Sequence, residues 1–322
     1  MSTEPKTLQE AILYFADADN CVEYLVARRW PGGVVTCPTC GRKNPRYIAE
    51  RKVWQCSIKH PKRQFSIKLG TIFEDSPLGL DKWLPAVWLL SNCKNGISSY
   101  EIGKDLGVSQ KTAWFMLSRI RLGLQSNEGG MLDGEVEIDE TFIGGKARNM
   151  HSAKRREKIK GRGPNGKAVV MGMLQRGGKV RTAVIENRDK ETLHGHVNQN
   201  VAVGSNVFTD ELISYWGLDE KYVHSIINHA EKYVDGNVHT NCMENFWSLL
   251  KRGLNGTYVS VEPFHLFRYI DEQAFRYNNR KDMTDADRFD LAIRQSLNKR
   301  LTWNELTGKE SPTQPQTVEA GI

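Results

Sequence analysis

No apolar run in the 322-residue chain, not even LPAVWLL (84–90), approaches the roughly 18–20 residues that a membrane-spanning helix needs, so no membrane partner is expected. The first residues, MSTEPKTLQE, hold no basic segment leading into an apolar one, which argues against export and for a cytoplasmic protein. Cysteine is sparse, with six residues at 21, 37, 40, 56, 93 and 242 and only one close pair. That pattern excludes a disulfide framework and leaves metal binding as the better reading of the pair. Acids are nearly missing from one segment. Between Gly144 and Lys167, nine Lys or Arg accompany a single acid, Glu157, giving net +8 against +7 for the whole chain. The remainder is close to neutral, so the basicity is concentrated, and a concentrated cationic segment points toward polyanions.

What is present describes a globular protein: 39% hydrophobic and 26% charged residues, with length enough for two or three domains. Residues 7–29 read as two short helices, opened by the capping box Thr7-x-x-Glu10 and closed by RRWPGG. Residues 34–76 carry short β-like runs (RYIAE, VWQC, QFSIK), a module too small to hold a core of its own without a staple. A helical stretch over 81–96 leads to a helix pair in 97–125, joined by a Gly-Val-Ser turn in which Ser109 is a good N-cap. From 134 the pattern becomes strands: 134–145, 167–175 and 179–187, consecutive and antiparallel. A helix follows over 190–201, then strands at 205–210 and 222–228 and helices at 241–254 and 263–281. The polar tail from Lys309 is expected to be disordered. The order is mixed α/β and fits a ribonuclease-H-like catalytic core preceded by a small zinc ribbon and a helix-turn-helix. The expected division is 1–78 (N-terminal helices and ribbon), 79–128 (helix-turn-helix), 132–283 (catalytic domain with basic loop 145–167) and 284–322 (C-terminal helix and tail).

Cys37-Pro-Thr-Cys40-Gly41 is a metal knuckle, and Cys56 with His60 supplies a second half in the spacing C-x3-H. Cys3His is a recognised tetrahedral set for structural Zn²⁺. In the helix pair, Ser109, Gln110, Lys111 and Thr112 would open a recognition helix that also carries Arg119, side chains able to reach base edges and phosphates. An ordinary helical hairpin in a core would look similar.

Three acids have ordinary readings when taken singly. EVEIDET (135–141) puts Glu135, Glu137 and Asp139 on one strand face, which could be the wet face of an edge strand. Asp210 ends SNVFTD, where it could cap a following helix; Glu244 could form a capping box with Asn241. Together, carboxylates on two strands and a helix are what a two-Mg²⁺ phosphoryl-transfer site requires. Lys251, seven residues beyond Glu244, shares its helix face two turns on.

The chain resembles the bacterial insertion-sequence transposases of the DDE class, in the branch with an N-terminal zinc ribbon. The resemblance runs from about residue 20 to about residue 280. It is carried by CVEYLVARRWPGGVVTCPTCG, QFSIKLGTIFEDS, VEIDETFIGGK, VFTDE, VHTNCMENFWSLLKRGLNGTY and HLFRYIDEQAFRYNNR. It implies a metal-binding triad at Asp139, Asp210 and Glu244, spaced 71 and 34 residues apart, with Lys251 as the associated basic residue. The ribbon departs from the family pattern, reading C-x3-H where C-x2-C is usual. The resemblance further implies a nucleoid-associated recombinase using Mg²⁺ (or Mn²⁺). Such an enzyme binds the terminal inverted repeats of its element as double-stranded DNA, cuts the ends to expose 3′-hydroxyls and joins them to target DNA, acting as a homodimer or larger assembly. Lys154, Arg155, Arg156 and Lys158 would hold DNA backbone. The alternative is a zinc-ribbon and helix-turn-helix DNA-binding protein whose second half is a non-catalytic scaffold.

Overall fold

The computed structural model describes residues 4–125, 130–145, 151–153, 156, 166–227 and 239–309. They form two units, one from residues 1–93, 97–126 and 282–322, the other from 94–96 and 127–281.

The first unit opens with α1 (Leu8–Phe15), where Thr7 and Glu10 make the expected capping box, and α2 (Ala18–Arg29). A three-stranded antiparallel sheet follows, β1 (Arg46–Ile48), β2 (Val53–Gln55) and β3 (Gln64–Phe65). Its small core is aromatic: Trp54 packs against Phe65, Tyr47 and Trp30, with ring centroids 4.8–5.9 Å apart. Then come α3 (Leu80–Asn92), α4 (Ser99–Leu106) and α5 (Gln110–Leu124). Ser98 with Glu101 caps α4, and the Ser109 hydroxyl accepts from the Thr112 amide to cap α5.

The second unit is built on a five-stranded mixed sheet. Its strands are β4 (Glu135–Ile143), β5 (Ala168–Gln175), β6 (Val180–Ile185), β7 (Asn206–Asp210) and β8 (Val223–Ile227), in the spatial order β6-β5-β4-β7-β8. The first three are antiparallel neighbours, while β7 runs parallel to β4 and β8 parallel to β7. This is the mixed α/β arrangement expected from the order of elements in the sequence. Alternation along the strands feeds two apolar layers. Val136, Ile138, Met171 and Met173 meet Leu193 and Val197 of α6 (Lys190–Asn200). Val170 and Leu174 meet Met243, Phe246, Trp247 and Leu250 of α7 (Asn241–Gly253), joined by Leu266 and Ile270 of α8 (Leu266–Asn278).

After α8 the chain re-enters the first unit. There α9 (Asp285–Ser296) packs on α3 and α5, placing Phe289 against Phe15, Tyr24 and Trp88, and α10 (Trp303–Leu306) follows. Among the described residues no helix is long and apolar enough to cross a membrane.

Candidate active site and metal centre

The ribbon's first knuckle is a turn in which the Gly41 amide donates to the Cys37 carbonyl (2.9 Å) and the Cys37 amide to that of Arg42 (2.8 Å). Gly41 sits at φ +73°, a conformation that L side chains rarely adopt. The ligand atoms of Cys37, Cys40, Cys56 and His60 all lie within 4.8 Å of one another. Cys37 Sγ is 3.4 Å from His60 Nε2, and Cys40 Sγ is 3.6 Å from Cys56 Sγ. A tetrahedron with arms of about 2.3 Å has edges of about 3.8 Å, so the cage has the size of a Zn²⁺ site. His60 Nδ1 donates to the Pro61 carbonyl (2.6 Å), which leaves Nε2 as the nitrogen facing the thiols. Burial resists ionisation of the Cys56 thiol, but hydrogen bonding with His60, the Ile58 backbone and the neighbouring thiols brings it down to about 7. A zinc held by all four residues would have no open position, which is the arrangement of a structural site.

The acids gather in the second unit. β4 pairs with β7 at an offset of 71 residues, from Glu135 with Asn206 to Glu137 with Phe208. Asp139 and Asp210 lie two residues beyond the last of these pairs at the same offset, so the spacing in the sequence follows the strand register. Asp210 is the last residue of β7, and its Oδ1 accepts from the Leu212 amide (3.1 Å) in an Asx turn. The 3₁₀ turn Ile213–Tyr215 follows, and its N-cap is Leu212, so Asp210 caps no helix.

Asp139 is pinned at both oxygens, with the Glu140 amide donating to Oδ1 (2.8 Å) and the Trp247 indole to Oδ2 (2.9 Å). Burial, seconded by the charges of Asp210 and Glu244, raises its pKa to about 6 against the opposing Trp247 hydrogen bond. Glu140, which accepts from the Tyr215 hydroxyl, is raised to about 8 by burial and then by Asp210 and Asp139, with Arg188 opposing. Hard oxygen donors near enough that Asp210 and Glu244 raise Asp139, and Asp210 and Asp139 raise Glu140, are a donor set that fits divalent cations.

Both carboxyls bind their protons more tightly folded than unfolded, so stability falls as pH rises from their ordinary values, 3.8 and 4.5, through about 6 and 8. In Mg²⁺-free buffer, Asp139→Asn and Glu140→Gln should therefore melt above wild type at about pH 8, with the gap closing toward pH 4. Melting curves at the two pH values check this; a gap independent of pH would contradict it.

Glu244 and Lys251 are both exposed on α7, on the flank of the buried stripe (Met243, Phe246, Trp247 and Leu250) that lies nearest Trp247. The N-cap of α7 is Thr240, without a side-chain cap, and Asn241 is already helical, so no capping box forms with Glu244. The cap comes from the sheet instead. Glu137 Oε2 accepts from the Met243 amide (2.9 Å), while Oε1 accepts from Arg176 Nε (2.8 Å) and lies 3.3 Å from His239 Nδ1. β4 is thus no wet edge: it is the central strand, and Glu137 is 0% exposed.

With this geometry in place, the ISXO2-like transposase domain matches residues 131–278, and the transposase zinc-ribbon domain matches 16–58. A Halobacterium salinarum protein, described as an uncharacterized protein in transposable element ISH50, is 29% identical over 256 residues, 75% of this chain and 84% of that protein. An uncharacterized transposase-like protein of Haemophilus influenzae is 32% identical over 102 residues, 31% of this chain and 82% of that protein. The chain belongs to the ISXO2-like transposase family.

The transposase-domain match spans all three acids and Lys251, whereas the ribbon match stops two residues short of His60. In this family member Ser109 caps α5. Gln110 and Lys111 are exposed on its first turn, with Gln110 donating to Ser99 (2.9 Å) and Lys111 5.2 Å from the Trp303 ring. Thr112 is half-buried, its hydroxyl 2.8 Å from that of Ser109. Arg119 corrects the expectation of a DNA contact. It is 4% exposed and donates to the carbonyls of Leu301 (3.0 Å), Ile72 (3.1 Å) and Glu74 (2.5 Å). Residues 116–121 are all buried, so this stretch of α5 belongs to the core of the first unit, while its N-cap and the start of its first turn are exposed.

Arg156 is exposed, while Lys154, Arg155 and Lys158 lie outside the described residues. A second basic surface was hidden in the chain average. Residues 37–68 also hold nine Lys or Arg and one acid, offset by acids elsewhere. Arg42, Lys43, Arg46 and Lys59 are exposed around the zinc cage.

Proposed function

We propose that this chain binds the terminal inverted repeats of its element, cuts them to expose 3′-hydroxyls, and directs those hydroxyls at target DNA. What supports the proposal is the placement of Asp139 and Asp210 on neighbouring parallel strands and of Glu244 on α7, near enough that the charges of the last two raise the pKa of the first. These carboxylates would hold Mg²⁺ (or Mn²⁺), which when bound supplies Lewis-acid stabilisation of charge on the phosphoryl oxygens. The chain's own part is positioning. Asp139, pinned at both oxygens, and Asp210, tied to its Asx turn, form a rigid pair; Glu244 closes the site from α7. Lys251 holds a phosphate of the incoming end, and the basic loop 145–167 and the ribbon cations hold duplex backbone. Water and then a 3′-hydroxyl attack at one site, with no protein–DNA covalent bond. Cutting two ends calls for at least two chains on DNA.

The scaffold alternative shares the binding and lacks the cutting. Nicking of a labelled duplex carrying the element's end separates them: Mg²⁺-dependent release of a 3′-hydroxyl supports the proposal, and binding without nicking supports the scaffold. Replacing Lys154, Arg155, Arg156 and Lys158 together by Ala should weaken binding to every duplex alike. It should also flatten the dependence of log affinity on log salt by about 0.9 for each phosphate no longer neutralised. Binding isotherms across a salt series check this; an unchanged slope, or a loss confined to one sequence, would count against the loop.

A further inference from the structure

Three features of the second unit meet at Asp139. Its Oδ2 accepts from the Trp247 indole, a ring 4% exposed that meets Phe246 edge-on at 5.3 Å. In the β4–β5 register the residue opposite Asp139 is Gly172. A Cβ at Gly172 would stand 2.8 and 2.9 Å from Trp247 Cζ2 and Cη2, and 2.4 Å from Met243 Cε. The missing side chain is therefore the space in which the indole lies, and without that space its N–H could not reach the carboxylate. Glu244 sits three residues before Trp247 on the same helix, so one helix both carries the third acid and clamps the first.

We infer that Trp247 is a positioning residue that holds the Asp139 carboxylate in its cation-accepting orientation, and that Gly172 exists to admit it. The inference rests on Asp139 acting as a metal ligand, as proposed above. With the Glu140 amide on Oδ1 and the indole on Oδ2, neither oxygen can swing away, yet each keeps a lone pair for a cation. Donors that orient a ligating carboxylate change metal affinity by about 10–100-fold when removed. A tryptophan that only filled the core would affect stability alone.

The test uses the full zinc-loaded chain and Mn²⁺ as probe, with affinity read by electron paramagnetic resonance and single-turnover cleavage read in parallel. Trp247→Phe keeps a ring and loses the N–H; Gly172→Ala keeps the N–H and displaces the ring. Each should weaken Mn²⁺ binding by about tenfold or more, and raised Mn²⁺ should restore the cleavage rate with affinity for end DNA unchanged. The double variant should be little worse than the singles, because both remove one hydrogen bond. Wild-type Mn²⁺ affinity in Trp247→Phe, with only a lowered melting temperature, overturns the inference. The same holds for Gly172→Ala if Trp247→Phe does not fold. Asp139→Asn separates the two levels of the argument. If it too binds Mn²⁺ like wild type, the metal-site reading itself fails; if it alone loses Mn²⁺, only the positioning role fails.

Discussion

Glu244→Gln should abolish Mg²⁺-dependent cleavage and joining, by at least about a thousandfold or roughly 4 kcal/mol of barrier, while folding and end binding persist. The expectation follows from where α7 places the residue. Glu244 is exposed, one turn from Trp247, and its charge is felt at Asp139. The helix does not need it for capping, because the Met243 amide is met by Glu137 and Thr240 is the N-cap. Glutamine is isosteric and removes only the charge that a cation requires. Lys251→Ala should cost less, about tenfold, since an exposed ammonium two turns along aligns a phosphate without holding metal. Cleavage of a labelled end with a melting curve beside it decides the matter: an active Glu244→Gln enzyme would falsify the assignment.

Loss of zinc should be the largest structural effect. Cys37→Ala with Cys40→Ala should leave the chain without metal and with an unfolded ribbon, because binding at such sites supplies about 10–16 kcal/mol in zinc-finger peptides. The ribbon sheet has three strands of two or three residues and one aromatic cluster, too little apolar surface to fold unaided. Trp54, 5% exposed in the folded ribbon, should become solvated, so tryptophan emission should shift to the red in step with zinc release. Elemental analysis of purified chain should give about one zinc per molecule. Zinc retained by the double variant, or none in wild type, would contradict the cage.

Much of this was legible in the sequence, where pattern and structure share a period. Strands and helices followed from alternation and from i, i+3, i+4 spacing, and the knuckle from C-x2-C. The triad spacing of 71 is the β4–β7 register offset. What was not legible depends on residues far apart in the chain. Glu137 caps a helix 106 residues later, and its partner Arg176 comes from the β5–β6 turn. Neither has a local signature, and Glu137 shares its strand face with Asp139. Arg119 misled because an arginine on an amphipathic helix normally marks its solvent side. Here the carbonyls of three neighbouring residues take up the guanidinium, which also lies 4.4 Å from the Phe115 ring centroid. Gly172 and Trp247 carry no local signal of their pairing, because only the strand register and the helix packing set one against the other.

The central claim is that Asp139, Asp210 and Glu244 form one metal-dependent phosphoryl-transfer site. Single-turnover cleavage of a terminal-repeat duplex, with wild type, Asp139→Asn, Asp210→Asn and Glu244→Gln compared in Mg²⁺ and in its absence, tests it most directly. The expected result is a free 3′-hydroxyl from wild type in Mg²⁺ alone, no protein-linked DNA, and comparably deep losses in all three variants with end binding retained. Cleavage by any of the three at the wild-type rate, or cleavage by wild type without divalent cation, would contradict it.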